Sequence, residues 1–278
     1  MIKKHHIFAK WRKQDVEYLK NFGINIRDNY DSFLIPENEI YFKIIDHFTS
    51  KSLFKKQPPE FSFIHSLSEF SKEELDKADR YILNNIGKPK GYPQPKNGYK
   101  EKSYSKLCSK CCTYNSQISL FRIKNEPKWG KNQVHFSLNW IFDETFIKKD
   151  FFQEVFAPLG LKSRDVLIHN TGKPAETVLQ LVIPEAESDL QLDGSTYDTQ
   201  KFCPVCGIKK YDQRNLDFMP PFRKDFDFMI CKTKESFGET ETHQANRKII
   251  ISKEFCNLLV KHEIIKYNTY DLLPVRSS

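Results

Sequence analysis

FIKKDFFQEVFAPLGLKSRDVL, from Phe146 to Leu167, returns later in the chain as IISKEFCNLLVKHEIIKYNTYDLL, from Ile250 to Leu273. A shift of 104 pairs Lys149 with Lys253, Asp150 with Glu254, Phe151 with Phe255, Val155 with Leu259 and Leu161 with Ile265. Each copy reads as the end of a strand, a short amphipathic helix and an extended segment. Ser252 is a residue of the N-cap type at the start of the second helix. A Cys-x-x-Cys precedes each copy, at Cys108 and at Cys203, a shift of 95. The two similar shifts predict a duplicated module of cysteine pair, strand and helix.

Working outward, the segment 88–278 is expected to hold this duplication, with units at about 100–184 and 198–278. His135–Trp140 alternates polar and apolar residues, and Thr177–Ile183, Phe226–Cys231 and Lys248–Ile251 have strand composition. Gly87–Tyr99 is dense in Gly and Pro and marks a boundary. Residues 1–87 are expected to form a small, mostly helical region. Asp15–Phe22 reads as a short helix closed by Gly23, and Phe33–Phe48 is ambiguous between strand and helix. Ser71–Leu83 reads as the clearest helix, with Ser71 and Glu74 as a capping box, Phe70 and Leu75 as a staple, and a stripe at Leu75, Ala78, Ile82 and Ile86. The fold class is therefore α+β.

Cys108-Ser-Lys-Cys111 and Cys203-Pro-Val-Cys206-Gly207 are the sharpest chemical signals. Two residues between thiols let both sulfurs reach one ion from a tight turn, and four thiolates suit a tetrahedral structural zinc. Gly207 supplies the backbone freedom such a turn needs; Cys112 stands at the matching place in the first pair. The metal ligands are accordingly Cys108, Cys111, Cys203 and Cys206, with Zn2+ as the structural cofactor. Three alternatives stand beside this: a redox pair, four ordinary thiols, and a site of three cysteines with His135 or His169. Cys231 and Cys256 sit in apolar runs and read as small core residues.

The 278 residues carry 44 Lys+Arg and 36 Asp+Glu, with 39% apolar residues, 23 Phe and 12 Tyr. That composition supports a packed core and excludes wholesale disorder. No apolar run is long enough to span a bilayer, and Met1–Lys20 has no apolar stretch of the secretory kind, which points to the cytoplasm. Lys88–Lys131 holds eleven basic and two acidic residues, interleaved with Tyr92, Tyr99, Tyr104, Tyr114, Phe121 and Trp129. Such a segment suits nucleic acid, an acidic protein partner or a solvated connector. Glu185–Asp198 carries five acids and no base, and reads as an exposed loop. Phosphate-loop, dinucleotide, zinc-protease and serine-hydrolase motifs are absent from the sequence. Asp143-Glu144 reads as a solvated turn, with metal binding or an acid–base pair as the alternatives.

The CPVCG at Cys203–Gly207, the CSKC at Cys108–Cys111 and the closing IIISKEFCNLLVKHEIIKYNTYDLLPV from Ile249 resemble the double-CXXCG-motif family of bacterial proteins. GYPQP at Gly91–Pro95, LNWIFDETF at Leu138–Phe146 and ESFG at Glu235–Gly238 are of the same flavour, so the resemblance spans roughly 66–276. Some members of that family are immunity proteins. The resemblance implies a non-catalytic, zinc-bound protein whose partner is a cognate protein toxin. The runner-up is a zinc-ribbon protein that binds nucleic acid through residues 88–131, and an enzyme using Asp143 or Glu144 is a third class.

Overall fold

The computed structural model describes residues 1–49, 60–84, 100–105, 108–114, 116–131, 133–138, 141–199, 201–212, 217–238, 245–268 and 270–276. Gly87–Tyr99 lies outside them. The chain divides into two compact units, the first built on Met1–Glu74 and the second on Leu75–Gln213 and Asp217–Ser278.

The first unit is a sheet, which corrects the expectation of a mostly helical region. Its elements are β1 (Ile2–Trp11), α1 (Lys13–Lys20), β2 (Asn29–Pro36), α2 (Glu39–Thr49) and β3 (Glu60–Glu69). β1 is the central strand, antiparallel to β2 and β3. Along β1 the residues His5, Ile7, Ala9 and Trp11 are buried, and Ile7, Ala9 and Trp11 pack with Val16 and Leu19 of α1 and Ile44 and Phe48 of α2. One face of the sheet is thus covered by both helices. The buried His5 is satisfied by Glu37 at 2.8 Å and Ser66 at 3.1 Å, as a polar group in a core must be. The ambiguous stretch Phe33–Phe48 contains both alternatives, strand to Pro36 and helix from Glu39.

The division between units falls within α3 (Lys72–Lys77). The capping box forms as expected: Ser71 Oγ accepts from the Glu74 N–H at 3.2 Å and the Glu74 carboxylate accepts from the Ser71 N–H at 2.8 Å. The helix then stops at Lys77, and Arg80–Leu83 is a strand, β4. Sheet pairing buries Tyr81 and Ile82 completely, and the Tyr81 hydroxyl donates to the Leu75 and Ala78 carbonyls at 2.7 and 2.9 Å. Those bonds use up acceptors that a longer helix would have satisfied itself.

The second unit continues with α4 (Lys100–Ser103), β5 (Arg122–Ile123), β6 (His135–Leu138) and β7 (Ile141–Lys148). The helix α5 (Lys149–Phe151) runs on as a π-helical turn, Phe152–Phe156, and a 3-10 turn, Ala157–Leu159. Gly160 closes it with φ of 78°, the left-handed conformation that favours glycine. Then come β8 (Lys162–Ile168), β9 (Pro174–Val182), β10 (Lys210–Tyr211), β11 (Ile230–Lys232), β12 (Ser236–Phe237), β13 (Ile249–Ser252), α6 (Lys253–Lys261) and β14 (Leu272–Pro274). One sheet runs β5-β8-β9-β7-β6 and a second runs β11-β13-β4-β14, with β10 and β12 as a parallel pair.

The sequence echo has a structural counterpart. β7 and β8 both lie antiparallel to β9, which separates them, with α5 connecting the two. β13 and β14 both lie antiparallel to β4, which separates them, with α6 connecting the two. The two helices start at Lys149 and Lys253, 104 residues apart. Ser252 caps α6, its Oγ accepting from the Phe255 N–H at 3.2 Å. The helices meet through Phe156 and Phe255, whose ring centroids are 5.5 Å apart. The expected unit boundaries need correction, however. The central strand of the second motif is β4, from residues 80–83, inside the region assigned to the N-terminal domain. Sheet pairing, not the Gly- and Pro-rich stretch, decides to which unit it belongs.

Candidate metal centre

Two matching turns carry the cysteines. In the first, the Cys112 N–H donates to the Cys108 carbonyl at 2.9 Å and the Cys108 N–H to the Thr113 carbonyl at 2.9 Å. In the second, the Gly207 N–H donates to the Cys203 carbonyl at 2.9 Å and the Cys203 N–H to the Ile208 carbonyl at 3.0 Å. Every partner differs by 95, so the turns are equivalent bond for bond. Both reverse through a positive φ, 56° at Cys112 and 72° at Gly207.

The turns bring four sulfurs together. Cys108, Cys111, Cys203 and Cys206 lie within 4.8 Å of one another, with Cys111 Sγ 3.5 Å from Cys206 Sγ and Cys108 Sγ 3.9 Å from Cys203 Sγ. A tetrahedron with metal–sulfur bonds of about 2.3 Å has edges of about 3.8 Å. The two cross-pair distances bracket that value, so the donor set is compatible with a tetrahedral metal ion. Cys108, Cys111 and Cys203 are buried, while Cys206 is exposed.

Local electrostatics favour thiolates at the first cysteine of each turn. Backbone N–H groups of Cys111 and Lys110 bond the Cys108 sulfur and lower its pKa. Those of Cys206 and Val205 do the same for Cys203 and hold it at about 6. Burial instead raises Cys111. Lys210, fully buried in β10, is shifted down by burial, while the charges of Cys111, Cys112, Cys203 and Cys108 oppose that shift. A buried cation within electrostatic reach of Cys108, Cys111 and Cys203 offsets part of the negative charge a four-thiolate site carries. Thr113 Oγ1 lies 3.1 Å from Cys111 Sγ and 3.6 Å from Cys206 Sγ. Neither Lys210 nor Thr113 belongs to the Cys-x-x-Cys spacing, so the motif alone does not point to them. The signal for Lys210 was there, as a basic pair directly after the second turn.

The structure also bears on the alternatives. Among the described residues the cluster contains thiols only. His135 lines an apolar cavity between α5 and α6. Neither cysteine pair opens a helix, as a thioredoxin-type pair does. Cys231 and Cys256 are buried, and burial pushes both thiols up to about 12.

Three other expectations change. Asp143 and Glu144 are not a solvated turn: they sit in β7, 2% and 4% exposed. The pairing of β6 and β7 slips between Phe136 and Leu138, and this irregularity accompanies the burial of two consecutive acids. Asp143 accepts from the Tyr114 hydroxyl and from the Arg247 N–H. Glu144 accepts from Tyr104 at 3.0 Å, Gln180 at 2.9 Å and Lys232 at 2.6 Å. The acidic segment Glu185–Asp198 alternates buried and exposed residues, and four of its five acids have internal partners: Glu185 with Arg247, Asp189 with Lys234, Asp193 with Arg223, and Asp198 with Lys209. Finally, Tyr104 and Phe121 are core residues and Tyr114 and Trp129 pack against that core, so these aromatics are not presented for stacking on bases. Tyr92 and Tyr99 lie outside the described residues.

No helix among the described residues is long and apolar enough to cross a membrane. No protein-family model, no curated protein and no solved structure matches the chain.

Proposed function

We propose that this chain is a non-catalytic, zinc-stapled binding protein of the cytoplasm that neutralises a cognate protein toxin by direct association. The observation that carries the metal part is the four-thiol cluster, assembled by two turns with the same hydrogen bonds and with the spacing of a tetrahedral site. Cysteine-only ligation in a closed donor set belongs to structural rather than catalytic zinc. The toxin part rests on the resemblance of the cysteine motifs and the C-terminal unit to the double-CXXCG-motif family. The exposed Lys102, Lys110, Lys124, Lys128 and Lys131 suit an acidic patch on such a partner, where charge chiefly sets the association rate.

Affinity capture from lysate of the source cells, with and without nuclease, tests the partner. One stoichiometric polypeptide retained after nuclease treatment, toxic when expressed alone and harmless with this chain, is the expected result. Protein lost with the nuclease, or no protection against any toxin encoded beside it, overturns the reading. Zinc content of about one ion per chain, lost in Cys203→Ser, tests the staple separately.

A further inference from the structure

A second site is built into the same unit. A cavity of about 330 Å³ is lined by Arg164 of β8, Gln180 of β9, Glu144 of β7, Lys232 of β11 and Arg247, which precedes β13. Its volume is in the range of small-molecule sites. The cavity opens to solvent, and an apolar floor would stabilise the fold more than the charged one it has.

The floor is ordered in advance. Lys232 and Glu144 form an ion pair at 2.6 Å, with side chains only 10% and 4% exposed. Tyr104 and Gln180 bond the same carboxylate, and Gln180 exchanges two hydrogen bonds with Gln117 at 2.7 and 2.9 Å. Burial and the nearby acids keep the Tyr104 and Tyr114 hydroxyls protonated and donating. Arg247 is braced by Glu185 and by the Tyr114 ring, 5.9 Å from its guanidinium. Arg164 is exposed at the wall and forms no ion pair with a described residue. The lining thus holds three cations against the carboxylates of Glu144 and Glu185.

We propose that this cavity binds a small molecule bearing carboxylate or phosphate groups, which Arg164 and Arg247 hold through charge-assisted, bidentate hydrogen bonds. A guanidinium presents paired donors that match the oxygens of either group. The amide N–H groups of Gln117 and Gln180 are spent on Ser119, Glu144 and each other, so the pair serves to hold the Glu144 carboxylate in place beneath the two guanidinium groups. The proposal is independent of the toxin reading.

Isothermal titration of the metal-loaded, full-length chain at low salt tests it, with citrate and pyrophosphate as the probes. We expect one saturable site per chain for at least one of them. Arg164→Gln should weaken that site at least about tenfold. Because Arg164 is exposed, the melting temperature without ligand should not change. Tighter citrate binding identifies a carboxylate ligand, and tighter pyrophosphate binding a phosphate ligand. Lys261→Gln, at an exposed position of α6 outside the lining, should leave the affinity intact. No saturable binding of either probe up to about 5 mM overturns the proposal. So does binding that Arg164→Gln leaves unchanged.

Discussion

Cys112 and Gly207 occupy the same place in two turns 95 residues apart: each has positive φ, and each donates its N–H to the carbonyl of the cysteine four residues earlier. Only one of the two is the residue the conformation favours. A non-glycine residue in the left-handed region costs roughly 1–2 kcal/mol. Cys112→Gly is expected to keep one metal per chain and to raise stability by up to about 1 kcal/mol. Gly207→Ala should lower it by about 1 kcal/mol, since a Cβ there meets nothing within 4 Å and the penalty is purely conformational. Urea unfolding of both variants, with metal analysis, checks the pair.

Removing any one of Cys108, Cys111 or Cys203 should abolish stoichiometric zinc binding. Chelation of the wild-type protein should cost several kcal/mol, toward the order of 10 kcal/mol of metal-driven folding seen in small zinc domains. A thermal melt with and without chelator reads this. A melting temperature that chelator does not move would show that the four thiols carry no structural metal.

The ion pair of Lys232 and Glu144 is nearly buried, so its two halves should not behave alike when removed alone or together. Lys232→Met leaves a buried carboxylate without its cation and should cost about 3–5 kcal/mol. Adding Glu144→Gln should recover part of that loss. A double-mutant cycle by equilibrium unfolding measures the coupling.

His135 supplies a pH dependence. Burial pushes its imidazole down to about 4, against about 6.5 in the unfolded chain. Between those values the unfolded state binds a proton that the folded state refuses. Stability is therefore lost as pH falls from about 6.5 toward about 4, by about 3 kcal/mol in full. His135→Gln should lose about 2–3 kcal/mol less than the wild type between pH 7 and pH 4.5. Parallel acid limbs in the two unfolding profiles would count against this assignment.

The cap of α6 gives a local check. Ser252→Ala removes the acceptor for the Phe255 N–H and should cost about 1 kcal/mol. Ser252→Asp should restore most of it, because a carboxylate accepts the same bond.

The parts legible in the sequence are those with local chemistry. The cysteine turns, the Ser71 and Ser252 caps and the helix starts at Lys149 and Lys253 all follow from residues a few positions apart. What was hidden depends on distant partners. β1 alternates, but Lys3, Lys4 and Lys10 flank its core positions, and His5 counts as polar until Glu37 and Ser66 are seen beside it. Tyr81-Ile82-Leu83 continues a helical stripe from Leu75 and Ala78; only strands some 170 and 190 residues away turn it into β4. The buried acids of β7 looked like a turn because their donors, Tyr104, Tyr114, Gln180, Lys232 and Arg247, are scattered over the whole unit. The fold of the duplicated motif was therefore readable in outline, and the cavity was not.

The placement of β4 between β13 and β14 has a consequence for synthesis. Its three apolar residues leave the ribosome long before either neighbour exists. At 5–20 residues per second the wait is on the order of ten to thirty seconds. Throughout that interval an aromatic and two aliphatic side chains, bound for the deepest part of a sheet, have no strand to meet. The first motif closes on its own segments and finishes early; the second must hold a place open for a strand made first and used last. A nascent chain halted anywhere before residue 249 should therefore recruit holdase chaperones near residues 80–83, and release them only when the final strand has been delivered.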